Sequence, residues 1–376
     1  MNPASVLVVV TRRIGDVLLT TPLIDSLRRA WPRAAIDVLV FDGTQGVLAG
    51  NPDIRRVLAV PARPSLGAHL KFAAALWRRY DVALSVVPGD RPTLYAWMAG
   101  RWRAGLVPDT AQHRWKQWLL QRWVAFDGRS THTVLMHLAL ARALGLPAHY
   151  EVTAACSEAD RAAVRALLPS LAATADAAPS KAPGPSYAVL HPYPRFNYKS
   201  WHRAGWLALA RWLQARGLMV VFSGGSDAAE RAYVADIARE LPGAVDLSGR
   251  LTLAQVACLL GEARLYVGPD TAVTHMAAAA GVPVIALYGP SDPLKWGPWP
   301  ADYTREENPW RRHGTQRAGN VTLLQGQAAC VPCLLEGCDR HIESFSDCLQ
   351  QLAPEIVIAA AAERLDAGLF PGGSHA

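Results

Sequence analysis

Leu265-Tyr266-Val267-Gly268-Pro269-Asp270-Thr271-Ala272-Val273-Thr274-His275 passes from an apolar segment through a Gly-Pro turn into a helical pattern. Leu265–Val267 reads as a strand, Thr271–Ala280 as a helix and Val282–Tyr288 as the next strand. Strands that alternate with helices in this way build a mostly parallel sheet covered on both faces. The free N–H groups and positive dipole end of such a helix start suit a pyrophosphate. Thr271 and Thr274 bring hydroxyls to it, while Asp270 at the cap repels phosphate unless it faces another group. The plainer alternative leaves Asp270 as a cap and His275 as a satisfied histidine between layers.

The same alternation extends outward. Upstream lie strand candidates at Tyr187–His191, Met219–Ser223 and Ala244–Leu247, with helices near Ala204–Ala215, Asp227–Glu240 and Leu253–Glu262. A first series opens with Ser5–Val10, a helical pattern over Asp16–Ala30, strands at Ile36–Val40, Val57–Val60 and Val82–Val87, and a helix over Ala68–Arg79. Between the two series the chain is rich in Ala, Pro and Ser, and Pro169, Pro179, Pro183 and Pro185 neither continue a helix nor donate to a sheet. The expected organisation is a first Rossmann-like domain over residues 1–170, a linker over 171–186, and a second, nucleotide-binding Rossmann-like domain over 187–352. A last helix, about Pro354–Leu365, is a candidate to cross back to the first domain.

Composition sets the boundaries. In 376 residues, 51% of them hydrophobic, no apolar run reaches the eighteen or more residues of a spanning helix. Met1–Val10 lacks a basic region and a cleavage site and reads directly into a strand, so the cytoplasm is expected. A net charge of +7 favours anionic partners without choosing among phosphorylated lipid, nucleotide and nucleic acid. Six cysteines without a secretory signal argue against a disulfide framework and leave thiols, metal binding or catalysis.

Three further strand ends carry polar groups, where open parallel sheets place their ligands. Thr11-Arg12-Arg13-Ile14-Gly15-Asp16 follows the first strand; Gly15 allows a tight turn, and Asp16 is either an N-cap or a functional carboxylate. His191-Pro192-Tyr193-Pro194-Arg195-Phe196-Asn197-Tyr198-Lys199-Ser200-Trp201 offers Arg195 and Lys199 to an anion. Ser223-Gly224-Gly225-Ser226-Asp227, with Glu230 one turn on, permits close backbone approach and an acid for ribose hydroxyls.

Together these stretches resemble a known family. Gly15-Asp16 before Val17-Leu18-Leu19-Thr20-Thr21-Pro22, Lys199-x-Trp201, Gly224-Gly225, and Asp270-Thr271-x-x-Thr274-His275 through Gly281-Val282-Pro283 to Tyr288-Gly289-Pro290-Ser291-Asp292-Pro293 look like glycosyltransferase family 9, the heptosyltransferases. The resemblance implies the glycosyltransferase B fold, α/β with two Rossmann-like domains facing across a cleft. It also implies an ADP-heptose donor, a lipopolysaccharide inner-core acceptor, and inverting transfer that requires no metal cofactor. On that resemblance Asp16 is the general base, Lys199 and the helix start at Thr271 and Ala272 hold the diphosphate, and Glu230 holds the ribose. Arg195, Gly224, Gly225, Asp270 and His275 complete the donor set. Two departures are local: Ala272 stands where the family commonly has Gly, and Pro194 and Arg195 stand where small hydroxyl residues occur.

Two features lie outside that set. Cys330-x2-Cys333-x4-Cys338-x9-Cys348 has spacing that could close a structural zinc site, with reduced thiols as the alternative. Similar cysteines occur in relatives resembling the third-heptose branch. Arg114-Trp115-Lys116-Gln117-Trp118-Leu119-Leu120-Gln121-Arg122-Trp123, read as a helix, is either an interfacial segment for anionic inner-membrane lipid or a core-facing helix with snorkelling cations. Arg12, Arg13, Arg114, Lys116 and Arg122 are therefore the expected acceptor or membrane patch. No RNA- or DNA-binding motif accompanies them, and no nucleic-acid partner is expected. A transferase for another nucleotide sugar, a sugar-nucleotide epimerase and a non-catalytic nucleotide binder are the rival functions.

Overall fold

A computed structural model describes residues 2–63, 65–168 and 186–367. The chain forms two compact units. One holds the residues up to Ala155 together with Asp302–Asn308; the other holds Cys156–Ala301 and the chain from Pro309 on.

The first unit is built on strands β1 (Ser5–Val10), β2 (Ala35–Phe41), β3 (Arg56–Val60), β4 (Tyr80–Ser85), β5 (Gly100–Pro108) and β6 (Arg122–Phe126). They pair in parallel in the order β3-β2-β1-β4-β5-β6. Val6 to Val10 of β1 are wholly buried, as a central strand with helices on both faces requires. The helical pattern after β1 is two helices, Ile14–Leu18 and Thr21–Ala30. Pro22 causes the break, since its missing N–H is tolerated only in a first turn.

The second unit has β7 (Tyr187–Leu190), β8 (Met219–Phe222), β9 (Val245–Asp246), β10 (Leu265–Pro269), β11 (Val284–Tyr288), β12 (Gln316–Ala318) and β13 (Val321–Gln325). Their order is β12-β13-β11-β10-β7-β8-β9, all parallel except the β12–β13 hairpin. Without that hairpin's outer strand, both sheets have the Rossmann arrangement, with strand order reversing between β1 and β4 and between β7 and β10.

Four expectations need correction. The division falls after Ala155, not near 170, because the helix Glu158–Ala166 packs on the helix Leu253–Gly261 of the second unit. Arg161 and Arg165 pair with Glu262 there, at 3.1 and 2.9 Å, and a Cys156–Cys258 disulfide joins the two segments. That disulfide is the second correction, since cysteine count alone does not show which thiols meet. Residues 171–185 of the expected linker and the tail after Ala367 lie outside the described residues. Third, the helix Pro354–Ala367 does not cross back: it lies on the helix Arg203–Ala215 and buries Val357, Ala361 and Leu365 in the second core. The segment that returns to the first unit is Asp302–Asn308, where Glu306 pairs with Arg142. Fourth, Arg114–Trp123 is not one helix. Its helix stops at Leu119, Leu120 turns inward, and Arg122 starts the edge strand β6, where the aromatic and β-branched Trp123-Val124 suit a pleated surface.

Candidate functional site

The reversal between β7 and β10 brings two strand ends together in the second unit. After β7 the chain makes a one-turn 3-10 helix, Asn197–Lys199; after β10, Asp270 precedes the helix Ala272–Ala279. Lys199 Nζ forms an ion pair with the Asp270 carboxylate and donates to the Asp270 carbonyl oxygen at 3.3 Å. Two of the three ammonium donors thus face Asp270, which holds the cation at the head of the helix. The pairing answers the objection that Asp270 would repel phosphate, because its charge is met by Lys199.

Asp270 is buried, which by itself raises a carboxyl pKa, yet the adjacent Lys199 outweighs burial and holds it below the usual value. His275 Nε2 stands 3.8 Å from Asp270 Oδ1. Burial pushes His275 down to about 4, so it is neutral at neutral pH and Lys199 supplies the positive charge. The hydroxyl of Tyr288, the last residue of β11, shares its one proton between the Trp296 carbonyl at 2.5 Å and Asp270 Oδ1 at 3.3 Å, and Ser291 also bonds Asp270. Tyr288 and Ser291 add to the expected donor set. The signal was present in Tyr288-Gly289-Pro290-Ser291, which ends the next strand in the sheet.

The cap of the Ala272–Ala279 helix is Thr271, whose hydroxyl accepts from the Thr274 N–H at 3.4 Å. Thr274 is wholly buried, donates to the Pro269 carbonyl and bonds Tyr266 at 2.9 Å, so it braces the strand end and faces no ligand. Ala272 and Val273 begin the helix, where first-turn N–H groups lack intrahelical acceptors.

At the end of β8, Glu230 lies against Gly224-Gly225. A Cβ on Gly225 would come 2.7 Å from Glu230 Oε2, so only glycine lets this carboxylate approach the turn. Burial raises the Glu230 pKa, and a Gly225 backbone hydrogen bond offsets part of that rise. Asp227 caps the helix Ala228–Ala238 through Ala229 N–H at 2.9 Å. His191 binds Ser223 through Nδ1 at 3.1 Å, and burial lowers it to about 4, which makes it a neutral structural group.

Arg195 is exposed, with its guanidinium 5.7 Å from the Phe196 ring centroid, and it lines a neighbouring cavity. The prolines on both sides of Tyr193 restrict the loop that carries it.

In the first unit Arg12 and Arg13 are exposed just after β1. Arg13, not Asp16, is the N-cap residue; Asp16 is the third residue of its helix and only 8% exposed. The basic-aromatic stretch divides. Arg114 and Arg122 are exposed, with Trp115, Trp123 and, at 89%, Trp118. Lys116 is wholly buried 2.9 Å from Asp90, which removes it from the expected surface patch. Cys330 and Cys338 are exposed, Cys333 is half-buried and Cys348 is buried, its thiol pushed up to about 12 by burial and then by the other three. As placed, no three His, Cys, Asp or Glu among the described residues form a metal-holding group.

Against known proteins, residues 70–325 match the model of glycosyltransferase family 9 (heptosyltransferase). Lipopolysaccharide heptosyltransferase 3 of Escherichia coli is 29% identical, covering 76% of this chain and 83% of that protein. Lipopolysaccharide heptosyltransferase 1 of Pseudomonas aeruginosa is 31% identical, covering 77% and 79%. Two solved structures show the same fold. A family 9 glycosyl transferase from Veillonella parvula has a TM-score of 0.75 at 18% identity, over 97% of this chain and 98% of that one. The E. coli ADP-heptose heptosyltransferase II has 0.72 at 19%, over 97% and 100%. With two parallel Rossmann sheets and a family match over most of its length, the chain belongs to glycosyltransferase family 9, the heptosyltransferases.

Proposed function

We propose that this protein transfers heptose from ADP-heptose to the lipopolysaccharide inner core, inverting the anomeric centre without a metal ion. The Lys199–Asp270 pair at a helix start carries this reading, because it fixes a cation and orphan N–H groups where a leaving diphosphate gathers charge. Glu230, one strand over, suits the ribose of the same nucleotide. The names of the relatives support heptose and lipopolysaccharide. Asp16 takes the proton of the acceptor hydroxyl as the anomeric carbon loses ADP.

The test is a transfer assay with ADP-heptose and core lipopolysaccharide from a strain lacking this protein. Each turnover should add one heptose to the core and release one ADP, at a rate unchanged by a chelator. Loss of activity on chelation would defeat the metal-free mechanism; a core that lacks some other sugar in the deletion strain would defeat the donor assignment. A zinc ion on Cys330, Cys333, Cys338 and Cys348 would be structural under this reading, so stripping it should lower Tm and spare the initial rate.

The acceptor is lipid-anchored, and none of the described helices is long and apolar enough to cross a membrane. We assign peripheral contact with the anionic cytoplasmic face of the inner membrane to Trp115, Trp118 and Trp123 with Arg114 and Arg122, beside the edge strand β6. Indole rings favour the headgroup level, and each nearby cation adds about 1 kcal/mol of attraction to anionic lipid. Replacing Trp118, Arg114 and Arg122 together by Ser should weaken binding to phosphatidylglycerol vesicles, most at low salt. Unchanged binding would make this edge an ordinary solvated surface.

A further inference from the structure

Beside the diphosphate loop lies an open cavity of about 610 Å³, lined by Tyr193, Arg195, Phe196, Asn197, Ile342 and Glu343. Its walls come from two distant segments joined by one hydrogen bond, from Asn197 Nδ2 to the Glu343 carbonyl at 3.1 Å. Phe196 stacks on Tyr198 with ring centroids 5.3 Å apart and planes 9° from parallel, so an aromatic rung stands at the cavity. Ile342 is 53% exposed. Arg195 and Glu343 line the cavity without pairing with each other or with another charged side chain among the described residues.

These groups match one class of ligand. A neutral sugar has apolar C–H faces, which lie on aromatic and aliphatic side chains, and a rim of hydroxyls, which donate to carboxylates and accept from guanidinium and amide N–H groups. A bare phosphate would find Arg195 but also meet the repulsion of Glu343. The cavity is near the chemistry as well: Phe196 and Lys199 lie one 3-10 turn apart, about 6 Å of rise. Lys199, the Ala272–Ala279 helix start and Glu230 already answer the diphosphate and ribose of the proposed donor, and none of them lines this cavity, which leaves it to the acceptor.

We infer that this cavity is a subsite for a neutral saccharide unit of the acceptor core. The inference rests on the proposed heptosyl transfer. It is tested with Ile342→Ser/Glu343→Gln, a double variant of exposed side chains that hold no part of the donor cluster. With lipopolysaccharide core as acceptor, its acceptor KM should rise about tenfold, the loss of one or two hydrogen bonds and an apolar contact. Donor KM, kcat at saturation and Tm should match the parent protein. In the absence of donor, saturation-transfer NMR on a core oligosaccharide should show ring-proton contacts in the parent protein that fade in the double variant and in Phe196→Ala, with inorganic phosphate failing to displace them. An unchanged acceptor KM, a raised donor KM or displacement by phosphate would each overturn the assignment. A parent protein that transfers no heptose, yet binds the oligosaccharide through these residues, would instead overturn the proposed function and leave the subsite standing.

Discussion

Asp16→Asn should cut heptosyl transfer by roughly 10²–10⁴-fold, the contribution of a positioned general base, while Tm and ADP affinity stay close to those of the parent protein. The structure sharpens this test. If Asp16 were the helix cap, Asn would serve nearly as well and nothing would change. Arg13 holds the cap position, and Asp16 lies inside the first turn, 8% exposed. Asparagine matches the carboxylate in size and keeps one oxygen acceptor, so the fold should tolerate it at this buried position. A melt close to the parent's then excludes unfolding as the cause of lost turnover. Rates at saturating donor and acceptor, with a thermal melt of the same preparation, separate the two roles. Parent-like turnover in the Asn enzyme would remove the base from the mechanism and leave the family assignment untouched.

Lys199→Met should have two effects that a second substitution can separate. Asp270 is buried and keeps its charge because Lys199 is beside it. Removing one partner of a buried pair costs about 3–5 kcal/mol, so the single variant should melt early. Adding Asp270→Asn removes the stranded charge, and the double variant should recover most of that loss. Turnover should not recover. If the ammonium also steadies the leaving diphosphate, kcat at saturating ADP-heptose should stay about 10²–10³-fold down, the usual effect of losing one such donor. A double variant that regains both stability and rate would make Lys199 a structural ion-pair partner and no more.

The sequence made some of this architecture plain and concealed other parts for physical reasons. Runs such as Val6–Val10 and Val284–Tyr288 are buried on both faces, so continuous apolar composition marks them as parallel strands. β6 was hidden because tryptophan and arginine fit an amphipathic helix as well as an edge strand, and only the pairing of Ala104 to Pro108 with Arg122 to Phe126 decides between them. Proline-rich composition marks a break in regular structure, which need not be a break between cores, and so it does not locate the unit boundary. Glu158–Ala166 is a good helix on either side of such a boundary, and its contacts with Leu253–Gly261 assign it. Within the site, residue types at strand ends were readable one loop at a time. The Lys199–Asp270 pairing spans 71 positions, and the inward turn of Thr274 depends on the Tyr266 hydroxyl; neither leaves a local pattern.

The return of Asp302–Asn308 to the first unit bears on how the gene can be dissected. The chain passes between units after Ala155, after Ala301 and again after Asn308, so no single cut yields both halves whole. A fragment ending at Ala155 lacks the partner that Arg142 finds in Glu306, and the complementary fragment carries seven residues with no body to join. Chimeras that exchange the first unit between relatives therefore have to exchange residues 302–308 along with the first 155, or each hybrid will pair one parent's sheet with the other parent's return segment.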